Sequence, residues 1–221
     1  MRNFTATAPP YRVNYSYIAI EGLIGAGKTT LARRLAERWG ARLVLEEFDD
    51  NPFLPRFYED PERFAFAVEL SFLAQRYHQL KRVTEQDLFE PRTVADYSIG
   101  KSLVFATATL GAEENALFGD LYRIMYADLP RPELIVYLHL GPVRAQERIR
   151  ARGRSYEQGI QSAYLERLRD LYFDQMRKAE GSRVLIVDLG ERDLLHDAAA
   201  FSQLCERLEK PMEATFEVLQ L

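Results

Sequence analysis

A glycine-rich loop near the N-terminus carries the clearest chemical signal of this sequence. Residues 22–29 fit the pattern G-x-x-x-x-G-K-[ST], between the apolar run 17–20 and the helix-forming segment 30–35. In such a loop, backbone N–H groups bind phosphates, the lysine reaches the β- and γ-phosphates, and the hydroxyl ligates Mg²⁺. The motif predicts a nucleotide site, against the alternative of an ordinary glycine turn before a surface helix. The predicted nucleotide-binding residues are Gly22, Gly25, Ala26, Gly27, Lys28, Thr29 and Thr30.

Acidic side chains follow two of the predicted strands. In open α/β sheets, ligands bind beyond the carboxyl ends of the strands, where the loop would also deliver a γ-phosphate. We therefore expect these acids close to the transferred group. They are Glu46, Glu47, Asp49 and Asp50 at and beyond the end of the second strand, and Asp96 at the end of the third.

A run of arginines forms the densest basic segment of the chain. Arg144, Arg148 and Arg152 share one face of a predicted helix, at i, i+4 and i+8. In isolation this pattern is typical of a solvated face, but beside a phosphate loop guanidinium groups can stabilise a phosphoryl-transfer transition state. The glycines that flank Arg154 to Gln158 would let residues 153–162 act as a lid.

The elements that must position these groups alternate between strands and helices. This alternation predicts an α/β fold, a three-layer sandwich with a five-stranded parallel sheet covered by helices. We predict strands at 15–21, 42–46, 91–96, 134–140 and 183–188. The first predicted helix follows the glycine loop and ends at 39, and five more span 62–83, 99–109, 113–127, 142–152 and 193–208. We expect a proline-punctuated loop at 51–61 and a C-terminal tail after 208.

Composition limits the classes of protein that need to be considered. With 221 residues we expect a single domain, preceded by a loose arm at 1–13. The net charge of −4 gives no global attraction to nucleic acid or to an anionic membrane, so neither is an expected partner. No apolar run approaches the roughly 20 residues of a membrane span. The N-terminus lacks a signal-peptide pattern, which favours a cytoplasmic protein.

Three stretches together resemble the deoxynucleoside kinases, and look closest to the bacterial deoxyadenosine/deoxyguanosine type. They are EGLIGAGKTT at 21–30, LVLEEFDDNPFLPRFYEDPERFAF at 43–66 and RARGRSYEQGIQSAYLERL at 150–168. The second and third stretches are more specific than the glycine loop. The resemblance implies transfer of the γ-phosphoryl group of ATP to the 5′-hydroxyl of a deoxynucleoside, with Mg²⁺ as cofactor.

The resemblance also implies roles for individual residues. Glu46 would be the general base near the 5′-hydroxyl, while Tyr58 and Glu157 would hold the sugar 3′-hydroxyl. Phe64, Phe66 or Phe72 would place a ring against the base. The expected catalytic residues are Glu46, Lys28 and Arg152, and Arg148, Arg152 and Arg154 are expected to contact ATP. The residues expected to bind the substrate are Glu46, Tyr58, Glu69, Arg76, Asp96 and Glu157. Thr29 and Asp96 are expected to hold Mg²⁺.

Three positions depart from the family pattern. Tyr97 stands in place of the arginine of an acid-arginine-serine triplet, and Ser102 replaces an aspartate. Glu69 replaces a glutamine that usually reads the base edge, and Arg76 follows seven residues later on the same helix face. An ionised carboxylate only accepts hydrogen bonds, so it suits N1–H and N2–H of guanine. A purine deoxynucleoside is predicted, with deoxyguanosine favoured, unless the two residues form an ion pair on solvent.

Two alternatives to the kinase interpretation stay open at this stage. The loss of the arginine at Tyr97 is compatible with a weakly active, nucleotide-binding subunit of a heterodimer. A nucleoside monophosphate kinase is the second alternative, although the acidic surroundings of Glu46 disfavour a phosphorylated acceptor. Homodimers are expected, through the long helix and the helix around Leu103, Val104 and Phe105.

Overall fold

A parallel sheet forms the centre of the computed structural model, which describes residues 13–47, 51–85, 92–194 and 196–221. Six strands run in the order β2-β3-β1-β4-β5-β6, and every hydrogen-bonded pair is parallel. The strands are β1 (Tyr17–Gly22), β2 (Arg42–Val44), β3 (Thr93–Ala95), β4 (Leu134–His139), β5 (Arg183–Asp188) and β6 (Phe216–Gln220). The predicted α/β class with a helix-covered parallel sheet is confirmed.

The predicted number of strands is wrong, because β6 lies in the segment that we expected to be a tail. It pairs with β5 from Val184↔Phe216 to Asp188↔Gln220 and closes one edge of the sheet. As an edge strand of five residues it alternates between exposed and half-buried positions. Its sequence therefore lacks the continuous apolar run by which the central strands were recognised.

Helices cover both faces of this sheet. They are α1 (Lys28–Trp39), α2 (Leu54–Glu59), α3 (Pro61–Glu85), α4 (Lys101–Thr109), α5 (Ala112–Tyr126), α6 (Pro142–Arg152), α7 (Ser162–Arg177) and α8 (Ala198–Leu208). One core cluster packs α1, α6, α7 and α8 against β1, β4 and β5, and a second packs α3, α4 and α5 against the other half of the sheet. The predicted apolar stripe of α3 lies in this second cluster, where Leu73 and Leu80 are fully buried.

Two helices were not expected from the sequence. The segment predicted as a loop at 51–61 contains α2. Pro55 is compatible with this helix because it lies in the first turn, where a missing N–H is tolerated. Phe57 anchors this helix in a small apolar cluster. Helix α7 was not predicted at all, although Leu165, Leu168 and Tyr172 form a helical stripe on its buried side.

Strand register brings the candidate chemistry to one edge of the sheet. β1 lies beside β3, with Ala19 opposite Ala95, and β2 lies beside β3, with Val44 opposite the same residue. The chain therefore leaves β1, β2 and β3 at a common carboxyl edge. The glycine loop, Glu46 and Asp96 become neighbours there although they are far apart in sequence.

Some of the predicted segments lie outside the described residues, and others differ in their bounds from the structure. Residues 1–12 of the predicted arm, together with Asp49 and Asp50, lie outside the described residues, whereas Val13 is buried. Helix α8 starts later than predicted, because Asp197 caps it by accepting a hydrogen bond from the Ala200 N–H (2.9 Å). Within the described ranges, none of the helices is long and apolar enough to cross a membrane.

Candidate active site

The glycine loop turns tightly from β1 into α1. Gly25 has φ 84°, and a Cβ added there would lie 2.9 Å from the Ala145 carbonyl oxygen of α6. Gly27, with φ 94°, precedes the first residue of α1 in the left-handed region. Side chains other than glycine are strained at both positions, which explains the glycine spacing of the motif. The N-terminus of α1 thereby faces the space into which phosphates would enter.

Lys28 begins α1 and folds over the loop. Its ammonium group donates hydrogen bonds to the carbonyl oxygens of Gly22 and Leu23, both at 3.0 Å. Burial and the positive charge of Lys101 lower the pKa of Lys28 to about 8, in spite of nearby carboxylates. A phosphate would offset both effects, because it supplies negative charge at this ammonium group.

Thr29 and Asp96 meet where the sequence predicted a magnesium site. The Thr29 hydroxyl donates to Asp96 Oδ2 (2.5 Å), and the backbone N–H of Glu46 donates to Asp96 Oδ1 (2.7 Å). The hydroxyl and carboxylate oxygens are hard ligands that fit Mg²⁺, which binds through one or two protein groups plus phosphates and water. The described residues contain no cluster of three or more His, Cys, Asp or Glu that could hold a metal.

Glu46 lies at the end of β2 between two cations. Arg76 donates to Glu46 Oε1 from Nε (2.9 Å) and Nη2 (2.6 Å), and Lys101 donates to Oε2. Burial would raise the pKa of Glu46, but the charges and hydrogen bonds of Lys101 and Arg76 outweigh it and lower the pKa to about 2. The carboxylate is therefore ionised and held in one orientation. Its neighbour Glu47 is exposed and forms an ion pair with Arg82 (3.7 Å).

Glu69 and Arg76 are both buried on the inner face of α3, so the alternative of an ion pair on solvent is wrong. Arg76 directs its guanidinium group to Glu46 and donates from Nη1 to Ser102 Oγ (2.7 Å). Glu69 Oε1 accepts a long hydrogen bond from Thr109 (3.4 Å), whereas no described residue donates to its Oε2. Burial raises the pKa of Glu69 to about 7, although Arg76 acts against the shift.

A cavity of about 120 Å³ connects these groups. The structure places eleven of the predicted site residues on its wall. They are Gly25, Lys28, Thr29, Glu46, Tyr58, Glu69, Arg76, Asp96, Arg152, Arg154 and Glu157. The remaining predicted residues, Gly22, Ala26, Gly27, Thr30 and Arg148, belong to the loop or its surroundings and do not line the cavity.

The residues expected at the sugar come together at the outer part of this cavity. Tyr58 stacks on Tyr156, with ring centroids 5.7 Å apart. Burial raises the pKa of Tyr58, and the nearby charge of Glu157 adds to the shift. A phenol that keeps its proton can donate a hydrogen bond to a sugar hydroxyl, and the carboxylate can accept one. Among the three candidate phenylalanines, Phe72 lines the cavity.

The arginines of the predicted lid divide into two groups. Arg148 lies against the loop, where it donates to the Ala26 carbonyl oxygen (3.5 Å), and it also pairs with Asp193 (3.4 Å). Arg152 and Arg154 both bind the carboxylate of Glu157, the latter at 3.4 Å. The short 3-10 turn from Ser155 to Glu157 lies between the two glycines of this segment. Arg152, Arg154 and Glu157 thus form ion pairs with one another on the wall of the cavity.

Sequence reasoning missed several residues of the cavity wall. Lys101 and Phe105 come from α4, and Tyr164 comes from the helix that was not predicted. The position of Lys101, five residues beyond Asp96 and at the start of a helix, is a signal that could have indicated it. A larger cavity of about 280 Å³ lies on the other side of Lys101, but none of the glycine-loop residues 22–29 lines it. We therefore assign the reacting groups to the smaller cavity.

Fold and loop together define a nucleotide-binding enzyme of the P-loop class. The sequence model of the deoxynucleoside kinases matches residues 18–213. The chain therefore belongs to the deoxynucleoside kinase family. The expectation from the sequence that it is an ATP-dependent enzyme of this kind is confirmed.

Similar proteins support the same family. The deoxyguanosine kinase of Bacillus subtilis (strain 168) is 35% identical over 199 residues, which cover 88% of this chain and 96% of the relative. A deoxyguanosine kinase of Lactobacillus acidophilus is 31% identical over 211 residues, covering 87% and 91%. The solved structure of deoxyadenosine kinase from M. mycoides with bound dATP has a TM-score of 0.73 at 22% identity, covering 88% of this chain and all of that one. This likeness shows the shared fold.

Proposed function

We propose that the chain transfers the γ-phosphoryl group of ATP to the 5′-hydroxyl of a purine 2′-deoxynucleoside, with deoxyguanosine favoured over deoxyadenosine. The observation that carries this proposal is that Glu46 and the glycine loop open onto one cavity, in which an oxygen of Glu69 has no partner among the described residues. The activity would serve nucleotide salvage in the cytoplasm.

The acceptor hydroxyl is aligned by Glu46. The transition state of phosphoryl transfer is loose, so the protein mainly positions the reactants and stabilises charge. A carboxylate with a pKa of about 2 is a weak base in the ground state. Glu46 therefore acts chiefly by orienting the hydroxyl, and it accepts the proton only as the new P–O bond forms. Tyr58 and Glu157 hold the other end of the sugar.

The donor phosphates bind at the glycine loop. Thr29 and Asp96 would hold Mg²⁺, which neutralises charge on the phosphate oxygens when it is bound. Lys28 contacts the β- and γ-phosphates from the start of α1. Arg152 and Arg154 close over the phosphates after they leave Glu157, and Arg148 already faces the loop at Ala26.

The base is selected by Glu69. An ionised Glu69 accepts N1–H and N2–H of guanine, while a protonated one could donate to adenine. Its raised pKa of about 7 leaves both forms accessible near neutral pH, with the ionised form increasing above it. Arg76 is committed to Glu46 and Ser102 by three N–H groups, so Glu69 carries most of the discrimination.

Steady-state kinetics with ATP, Mg²⁺ and each of the four deoxynucleosides test the proposal. We expect the highest kcat/KM for deoxyguanosine. Glu69→Gln should shift the ratio of the two purines toward deoxyadenosine by about tenfold, as a bidentate contact contributes ~1–3 kcal/mol of discrimination. Glu62→Gln, at an exposed position of the same helix, is the matched control. An unchanged ratio would contradict base reading by Glu69, and absence of turnover with every deoxynucleoside would contradict the kinase itself.

The assembly of the enzyme is part of the proposal. Leu117 and Ile124 are exposed on one side of α5, at 52% and 75%, and support association of two copies through this helix. Of the residues that we expected at a dimer surface, Val104 is in the core, while Leu103 and Phe105 are half-buried against it. Single-turnover transfer by the chain alone distinguishes a homodimeric enzyme from a weak subunit that needs a second chain.

A further inference from the structure

A buried lysine, Lys101, stands at the start of α4 beside the reacting groups. Its side chain is 8% exposed, and its ammonium group donates to Glu46 Oε2. This is its only hydrogen bond to the described part of the chain, and the ammonium group also lies over the ring of Phe105, 5.4 Å from the centroid. Lys101 lines both cavities and forms part of the wall between them.

The hydrogen-bonding capacity of Glu46 determines where an acceptor hydroxyl can bind. A carboxylate offers about four lone-pair sites, two on each oxygen. Nε and Nη2 of Arg76 occupy both sites of Oε1, while Lys101 occupies one site of Oε2. A substrate hydroxyl must therefore use the second site of Oε2. The hydroxyl would then lie next to the ammonium group of Lys101, which binds the other site of Oε2.

Two buried cations contact the single carboxylate of Glu46. Arg76 alone compensates the charge of Glu46, and a second buried cation carries a desolvation cost. Lys101 also acts against the burial that raises the pKa of two other carboxylates, Glu21 and Glu69, and Oε2 of Glu21 has no partner among the described residues. Lys28 lies close enough for its pKa to be lowered by Lys101. Lys101 therefore adds positive charge near Lys28, on the wall of the cavity that the glycine loop also lines.

The side chain at position 97 does not reach this region. Tyr97 is fully buried, and its hydroxyl donates to Gln79 Oε1 (2.8 Å) on the side of α3. The cations at Glu46 come instead from the middle of α3 and the start of α4.

We propose that Lys101 is a positioning residue for phosphoryl transfer, which fixes Oε2 of Glu46 and thereby places the acceptor hydroxyl toward the glycine loop. This inference rests on the proposed function. It assigns to Lys101 an effect on the rate of transfer that exceeds its effect on ATP binding. A purely structural lysine would change stability and would leave kcat almost unaffected.

Lys101→Met is the first test, with Lys81→Met at an exposed position of α3 as the matched control. We expect kcat to fall about 100-fold, because a misplaced reactant costs on the order of 10²-fold. KM for ATP should stay within about threefold, since the hydrogen bond of Lys101 goes to Glu46 and not to a residue of the glycine loop. The folded state is expected to persist, because Arg76 still pairs with Glu46. If Lys101→Met does not fold, Lys101→Gln keeps a donor without the charge.

Chemical rescue provides the second test. Lys101→Ala opens space beside Glu46. Added methylamine or ethylamine should raise the kcat of this variant at least about tenfold, because a small ammonium ion can occupy the place of the lysine ammonium group. Ethanol, a neutral molecule of similar size, should restore nothing.

The outcomes separate this inference from the proposed function. Wild-type turnover together with Lys101→Met within threefold of wild type would overturn the inference alone. A rate loss that amines do not restore would also overturn it. If the wild type phosphorylates no deoxynucleoside, the proposed function fails, and the inference fails with it.

Discussion

Glu46 and Glu69 face the same cavity, yet their surroundings drive their acidities in opposite directions. Glu46 lies at the end of a strand between Arg76 and Lys101, and its pKa is about 2. Glu69 lies on α3 with one long hydrogen bond from Thr109, and its pKa is about 7. Burial disfavours the charged form of both carboxylates. The number of cations in direct contact therefore decides which of them is permanently ionised.

This difference separates two tasks within one cavity. A carboxylate that is always ionised and doubly paired can align an acceptor hydroxyl over the whole physiological pH range. A carboxylate that titrates near neutrality can exchange the roles of donor and acceptor, which suits the reading of a base edge. Substitutions at the two sites should accordingly differ in kind and in size.

The largest expected effect is the loss of turnover in Glu46→Gln. The amide keeps the shape of the side chain but cannot accept the hydroxyl proton, so kcat/KM should fall by about 10²–10⁴-fold for both purines. Glu69→Gln should change only the ratio of the purines. Glu47→Gln, which alters an exposed carboxylate next in sequence, is the control. Equal losses of kcat/KM in Glu46→Gln and Glu69→Gln would contradict the assignment of different tasks to the two carboxylates.

The second effect concerns stability and compares a buried ion pair with an exposed one. Arg76→Met leaves Glu46 with Lys101 as its one ion-pair partner among the described residues and should lower the free energy of unfolding by about 3–5 kcal/mol. Arg82→Met breaks the exposed pair with Glu47 and should cost about 0–1 kcal/mol. Urea denaturation at neutral pH measures both. A similar cost for the two variants would show that the cations around Glu46 are not essential to folding.

The smallest effect is a dependence of stability on pH that originates at Glu69. Because burial raises its pKa above the unfolded value of 4.5, the folded state binds the proton more tightly. Stability from this group is therefore fully present below about pH 4.5 and is lost as pH rises through about 7. The difference in unfolding free energy between wild type and Glu69→Gln should change by on the order of 1–3 kcal/mol across this window. A pH-independent difference would mean that Glu69 does not titrate there.

The glycine loop and the acids at the strand ends were predictable because local rules determine them. Positive φ angles demand glycine at fixed spacing, and parallel strands direct their carboxyl ends to one edge. The pairing of Glu46 was not predictable, because Arg76 and Lys101 lie 30 and 55 residues away in sequence. Only the packing of α3 and α4 on β2 and β3 brings them together.

The missed elements have similar physical causes. The prolines in residues 51–61 predict a loop, but Pro55 is the second residue of α2 and Pro61 is the first residue of α3. The edge strand β6 contributes few buried residues, so its pattern is weak. The titration of Glu69 near neutrality depends on burial by α4 and α7, and a single helix sequence contains no sign of it.

The carboxylate of Glu157 binds both Arg152 and Arg154, which links two ends of the reaction. Under the proposed function, a sugar hydroxyl bound to Glu157 would compete with these guanidinium groups, and phosphates would compete with Glu157 for the same arginines. By reciprocity of linked equilibria, each substrate must change the affinity for the other by an equal factor. We therefore expect mutual enhancement, in which ATP and the deoxynucleoside each increase the affinity for the other by the same factor.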